Sequence, residues 1–169
     1  MPQKRGNSKR RSNSQGKAPS RAASGRSPAI RNARISDAAA LAPLSGQLGY
    51  PATADEVRAR LERLLGDPTQ AVFVVEIEGK LAGWIHVTDS VTVESGPAVE
   101  IRGLVVDEAR RGSGLGRALV ERGEAWARER GVNTMTVRSN VVRAGAHAFY
   151  DRLGYTVVKT QHAFRKRLA

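Results

Sequence analysis

The chain of 169 residues contains no cysteine. This excludes a disulfide scaffold, a thiolate-ligated zinc site and a cysteine nucleophile. Its three histidines, His86, His147 and His162, are far apart in sequence, so a histidine-rich metal centre is not expected. No apolar run approaches the roughly 20 residues that span a bilayer, and the N-terminus lacks the apolar stretch of a secretory signal. The sequence therefore reads as a cytoplasmic chain without a membrane segment. Acidic residues are missing altogether from Met1 to Ser36, and large aliphatic residues are missing between Met1 and Ile30. Residues 1–28 cannot bury enough surface to offset chain entropy, and they read as a disordered basic tail. The tail carries eight of the twelve net positive charges: Lys4, Arg5, Lys9, Arg10, Arg11, Lys17, Arg21 and Arg26. Such a segment suits weak, salt-dependent polyanion binding, or no binding at all.

From residue 29 to residue 169 the pattern is that of one domain. Ala29–Ile35 alternates as a first strand, and Ser36 or Asp37 can cap a short helix through Leu44. Thr53-Ala54-Asp55-Glu56 is a capping box that opens a second helix on Val57, Leu61, Leu64 and Leu65. Ala71–Ile77 and Leu81–Val87 are strands joined by a tight turn at Glu78-Gly79-Lys80, and Val91–Ser95 suits either a strand extension or a loop. Ala98–Val106 is a further strand, followed by a long helix to about Arg130. Asn133–Ser139 reads as a strand, Ala144–Leu153 as a helix, and Gly154–Lys159 with His162–Lys166 as two closing strands. The order is βααβββαβαββ. This is a mixed α/β domain, with helices on both faces of a predominantly antiparallel sheet. The ends of the sheet are compatible with a homodimer.

The segment Val105-Val106-Asp107-Glu108-Ala109-Arg110-Arg111-Gly112-Ser113-Gly114-Leu115-Gly116-Arg117 joins a strand to a helix through a glycine-rich turn. Orphan amides and the helix dipole make such a turn receptive to anions. Glycines at 112, 114 and 116 allow close backbone approach, and three arginines add charge. No Gly-Lys-Ser/Thr follows, so it is not a Walker loop. Position 117 is neither Gly nor Ala, and no parallel βαβ pattern surrounds the turn, so it is not a dinucleotide fingerprint. A diphosphate-bearing ligand and a plain tight turn both remain open on the loop alone.

Arg111-x-x-Gly114-x-Gly116 after Leu104-Val105-Val106 resembles the acetyl-coenzyme A signature of the GNAT N-acetyltransferases. Ala146-x-x-Phe149-Tyr150-x-x-Leu153-Gly154-Tyr155 is similar to that family's closing helix and turn. The resemblance implies acetyl-CoA as co-substrate, with no metal. It implies pantetheine lying along Leu104, Val105 and Val106, and pyrophosphate on the backbone of Arg111, Gly112, Ser113, Gly114, Leu115, Gly116 and Arg117. Asn140 would fix the coenzyme arm. An amine acceptor would attack the thioester directly, with Tyr150 as general acid toward sulfur and Glu100 as base or base-side relay. Strict alternation would put Glu100 on one face with Arg102, Leu104 and Val106. An ion pair with Arg102 or a neighbouring-strand arginine is the plainer reading of Glu100. Tyr50, Trp84, His86 and His162 are candidates for the acceptor pocket, and a lone strand histidine is ordinarily structural. The helix bearing Tyr150 has no cap immediately before Ala144, and Asn140 could cap it instead. The expected function is acetyl-CoA-dependent N-acetylation of a small-molecule amine. The alternatives are acetylation of a protein lysine or N-terminus, and a non-catalytic acyl-CoA sensor.

Overall fold

A computed structural model describes residues 28–168, so the expectation of a disordered tail over residues 1–28 lies essentially outside it. The turn at 78–79 sets the frame of the sheet. Glu78 and Gly79 both take positive φ, at 52° and 77°. That pairing of signs gives the tight turn whose twist matches antiparallel strands. It joins β2 (Gln70–Ile77) to β3 (Lys80–Thr92). β1 (Ala29–Asn32) pairs antiparallel with β2, and β4 (Gly96–Val106) antiparallel with β3. β5 (Met135–Val137) lies parallel to β4. The five strands lie in sequence order, β1 to β5. Of the two options for residues 91–95, β3 takes the strand through Thr92 and leaves the rest in the turn.

Helices cover both faces, as the pattern requires. α1 (Ala38–Gln47) and α2 (Ala54–Leu65) bury Leu41, Leu44, Val57 and Leu61 against Val72, Val74 and Val105. The capping box of α2 forms in both directions. Thr53 Oγ1 accepts from the Glu56 amide at 3.2 Å, and Glu56 Oε2 accepts from the Thr53 amide at 2.8 Å. On the other face, α3 (Leu115–Glu129) buries Leu115, Leu119 and Val120 against Phe73, Ile85, Val87, Val99 and Ile101. Each such side chain contributes about 1.5–3 kcal/mol of burial. α4 (Ala144–Asp151) docks beside α3 through Phe149 and Tyr150. The start of α1 is fixed by an ion cluster in which Arg31 holds Asp37 at 2.8 and 2.9 Å and Glu76 at 2.8 Å.

Two expectations need correction. β5 is limited to Met135–Val137, shorter than the expected 133–139. The two closing strands, 154–159 and 162–166, do not form; the chain after Gly154 is irregular. Beyond Tyr155, Val157, Val158 and Phe164 are 85–94% exposed, so these strand-forming residues have no packed face. The segment's β-branched residues signal strand propensity, but propensity acts only where a partner strand and a packed face exist. The observed order is βααβββαβα.

Candidate functional site

The glycine turn after β4 separates two jobs that look alike in sequence. Gly112 and Gly114 take φ of +78° and +84°, and a β-carbon on either would meet no atom within 4 Å. They bend the chain and leave open space in front of it. Gly116 is needed for packing: a β-carbon there would lie 3.3 Å from the Phe149 ring. The turn's first amides already have acceptors. Glu108 N donates to Gln47 Oε1 at 3.0 Å and Ala109 N to Asp107 Oδ1 at 3.0 Å. Arg110 N donates to Asp107 O at 2.8 Å and Arg111 N to Glu108 O at 3.3 Å. From Gly112 to Arg117 no amide has a protein acceptor among the described residues, and α3 has no side-chain cap. This is a row of outward donors at a helix N-terminus, which suits a bulky anion. Arg110 and Arg111 are exposed beside it. The Arg117 guanidinium turns away, toward Arg152 O at 3.5 Å and Glu121 at 3.8 Å.

The strand before this turn leaves a gap on one side. β4 and β5 pair only at Val99↔Met135, Glu100↔Thr136 and Ile101↔Val137. β5 ends there, while β4 runs on through Leu104, Val105 and Val106 to the glycine turn. The β4 edge from Arg102 onward therefore has no strand beside it. A slender polar chain can pair with that edge, and its anionic end then meets the amides of 112–117.

A bulge overturns the simple alternation of β4. His86 pairs with Gly103 and Val87 with Ile101, so Arg102 is the extra residue. Val99 and Ile101 pack with α3, whereas Val105 packs with α1 and α2. Glu100 consequently shares its face with Gly103 and Val105, and not with Leu104 and Val106. Its neighbours across the sheet are Thr88 on β3 and Thr136 on β5. Glu100 is 7% exposed, with Oε1 3.1 Å from Arg102 Nη1 and Oε2 2.9 Å from Arg138 Nη2. Both oxygens thus accept from permanent cations, which is the ion-pair arrangement with a neighbouring-strand arginine added.

Trp84 and His86 lie on that same face. The Trp84 ring covers Gly103, where a β-carbon would approach two ring carbons to 2.8 Å. The Trp84 indole N–H is buried without a partner. His86 Nε2 lies 2.9 Å from Gln70 Oε1, to which it donates in the tautomer protonated there. Burial, and then the nearby Arg102 cation, push the His86 pKa down to about 4, so the ring is neutral at pH 7.

Tyr150 stacks edge-on against Phe149 and Tyr155, with ring centroids 5.1 and 5.5 Å away. Burial pushes its phenol up to about 12, so it stays protonated at neutral pH. The hydroxyl has no hydrogen-bond partner among the described residues, yet it is not sealed from solvent. Tyr155 is occupied, donating to Glu124 Oε1 at 3.2 Å. Asn140 closes the turn that leads to α4. Its Oδ1 accepts from Val142 N at 3.2 Å, and its backbone carbonyl meets Arg143 N at 2.9 Å and His147 Nε2 at 3.0 Å. Its side-chain amide N–H groups remain as donors. α4 has no side-chain cap of its own.

Two of the expected pocket residues are not drawn into the site. His162 lies in the exposed C-terminal segment, 6.4 Å from the Phe164 ring, because the strand turn expected to carry it is absent. Tyr50 is 66% exposed in the α1–α2 loop. That loop is tied across the site, since Arg143 Nη2 donates to Leu48 O at 2.8 Å. The pattern of residues did not single out Arg138, Arg143 or Gln70. Arg138 and Gln70 depend on strand register and Arg143 on a loop-to-loop contact, neither of which a lone sequence displays.

Comparison with known proteins gives this geometry a context. The family model described as "Acetyltransferase (GNAT) family" matches residues 39–155. An aminoglycoside N(6')-acetyltransferase type 1 from Stenotrophomonas maltophilia is 34% identical over 146 residues, covering 83% of this chain and 94% of that protein. The glucosamine-6-phosphate N-acetyltransferase from Arabidopsis thaliana superposes with a TM-score of 0.71 at 26% identity, covering 82% of this chain and 98% of that one. An aminoglycoside N-acetyltransferase solved in complex with CoA shares the fold, with a TM-score of 0.76 at 20% identity, over 84% of this chain and 96% of that one. Among the described residues no helix is long and apolar enough to cross a membrane.

Proposed function

The chain belongs to the acetyltransferase (GNAT) family, and from that membership we propose that it moves the acetyl group of acetyl-CoA onto the nitrogen of a small-molecule amine. The observation that carries the reading is the junction of an unpaired β4 edge with the unpartnered amides of Gly112 to Arg117. An extended thiol-bearing arm that ends in a pyrophosphate fits that shape and charge. Leu104, Val105 and Val106 would pair with the arm through their backbone. The amides of 112–117, with Arg110 and Arg111, would hold the pyrophosphate. The free amide N–H groups of Asn140 would donate to a carbonyl of the arm from the β5 side.

Acetyl-CoA would supply the thioester. The acceptor must present a neutral amine, whose nitrogen bonds to the acyl carbon as the carbon–sulfur bond breaks. One proton leaves nitrogen and one reaches sulfur, so the step balances. Glu100 pairs with Thr136 in the short stretch where β4 and β5 meet, next to the gap. Both its oxygens already accept from guanidinium groups, so it takes the proton through water. Tyr150 is a protonated phenol whose hydroxyl is uncommitted, and it serves as donor to the departing sulfur. His86 is neutral and bound to Gln70, so it walls the acceptor side together with Trp84.

The test is release of free thiol from acetyl-CoA by the purified full chain, measured across a panel of amines. Amine-dependent thiol release with matching N-acetyl product is expected. Tight acetyl-CoA binding without turnover of any amine would instead identify an acyl-CoA-binding module.

A further inference from the structure

The face that would receive the acceptor holds more positive charge than the ion pairing of Glu100 requires. One arginine would neutralise that carboxylate, and two are bound to it. Arg102 sits at the β4 bulge and Arg138 just beyond the last residue of β5, so both flank the mouth of the gap. Their side chains are 47% and 74% exposed, whereas the Glu100 side chain is 9% exposed. Each guanidinium spends one nitrogen on Glu100 and has no other acceptor among the described residues.

Among the described residues no other carboxylate is bonded to this pair. Asp89, the nearest acid on β3, is bound to Arg130, and Glu124 takes Tyr155 and Arg128. The groups beside Glu100 across the sheet are Thr88 and Thr136, both uncharged. His86 on the same face is neutral, in part because Arg102 opposes its protonation. The N-terminal segment beyond the described residues contains no acidic side chain to cover the patch. Both guanidiniums are held by one buried carboxylate and keep N–H groups without a described acceptor, and such groups bind carboxylate and phosphate oxygens strongly. A polycation would meet a like charge there.

Resting on the acetyltransferase reading, we propose that the acceptor amine also bears an oxyanion, a carboxylate or a phosphate, bound between Arg102 and Arg138. Glu100, besides taking the proton through water, then also holds both guanidiniums in place. The acceptor would lie with its anion at the rim and its amine toward the gap.

Matched acceptors test this. Thiol release is compared for ethanolamine against phosphoethanolamine, putrescine against γ-aminobutyrate, and the polycation kanamycin. The anionic member should be preferred at least about tenfold in kcat/KM, through KM. The two pairs distinguish a phosphate from a carboxylate. In Arg138→Gln, and independently in Arg102→Gln, that preference should collapse by a similar factor, while Arg138→Lys keeps part of it. Melting curves establish that each variant is folded. A preference for ethanolamine, putrescine or kanamycin, or an unchanged preference in both Gln variants, overturns the proposal. Calorimetry of the anionic amine added to the CoA-saturated chain gives a readout that needs no turnover. Binding lost in Arg138→Gln without turnover of any amine would keep the anion site and sink acetyl transfer. Loss of acetyl-CoA affinity as large as the loss for the acceptor would assign the guanidiniums to the coenzyme and overturn the proposal.

Discussion

Replacing Gly114 by two different residues separates strain from charge in the glycine turn. Gly114 has φ +84° at the start of α3, and a β-carbon there meets nothing within 4 Å. Alanine therefore introduces no clash, only the cost of a left-handed L-residue, about 1–2 kcal/mol. Glutamate carries the same strain and also sets a carboxylate before the amides of Gly112 to Arg117. At roughly 6 Å and an effective dielectric near 20, two unit charges repel by about 3 kcal/mol. Screening, and the freedom of the side chain to swing outward, reduce that to about 1.4–2.7 kcal/mol, or 10- to 100-fold in Kd. Calorimetric titration with acetyl-CoA should show Gly114→Glu weaker than Gly114→Ala by that factor. The gap should narrow at high salt, and both proteins should melt at similar temperatures. Equal affinities for the two variants would show that no anion sits on these amides, and the coenzyme assignment would fall.

Tyr150→Phe keeps the ring packed between Phe149 and Tyr155 but removes the proton donor, so kcat should fall about 10- to 10⁴-fold with acetyl-CoA affinity little changed. Glu100→Gln should lower kcat/KM; a large loss in Tyr150→Phe with none in Glu100→Gln would leave Glu100 as a purely structural tether. His86 has a folded-state pKa of about 4, below its unfolded value near 6.5, so it contributes stability that is complete above pH 6.5 and is lost as pH falls toward 4. Denaturant titrations at pH 7 and pH 5 should show that loss, and His86→Gln should diminish it. Gly103→Ala brings a β-carbon to 2.8 Å from the Trp84 ring and should cost about 1–3 kcal/mol while shifting tryptophan fluorescence; unchanged stability and emission would contradict the packing of that ring over β4.

What could be read from the sequence was local. The hairpin at Glu78-Gly79, the capping box at Thr53 and the strand–turn–helix around Gly114 are each encoded within a few residues, by positive φ or by reciprocal side-chain bonds. What could not be read depends on partners distant in the chain. The bulge at Arg102 arises from how β4 registers against β3, and it reverses the face on which Leu104 and Val106 stand relative to Glu100. The bond from Arg138 to Glu100 spans 38 residues and requires β5 to run parallel beside β4. The segment after Gly154 has strand-like residues but no strand to pair with, so its pattern misleads. The aromatic motif around Phe149 and Tyr150 was legible as a motif. That Gly116 serves to seat Phe149 was not.

Direct attack by an amine on the thioester is most simply tested by following a labelled acetyl group. The full chain is mixed with acetyl-labelled CoA thioester, with and without acceptor, and protein and small molecules are analysed by mass spectrometry. One free thiol is expected for each labelled N-acetyl product, and no label on the protein when the amine is left out. The chain has no cysteine to carry an acyl group. Label accumulating on the protein before the amine is added, or thiol released without any N-acetylated product, would contradict direct attack.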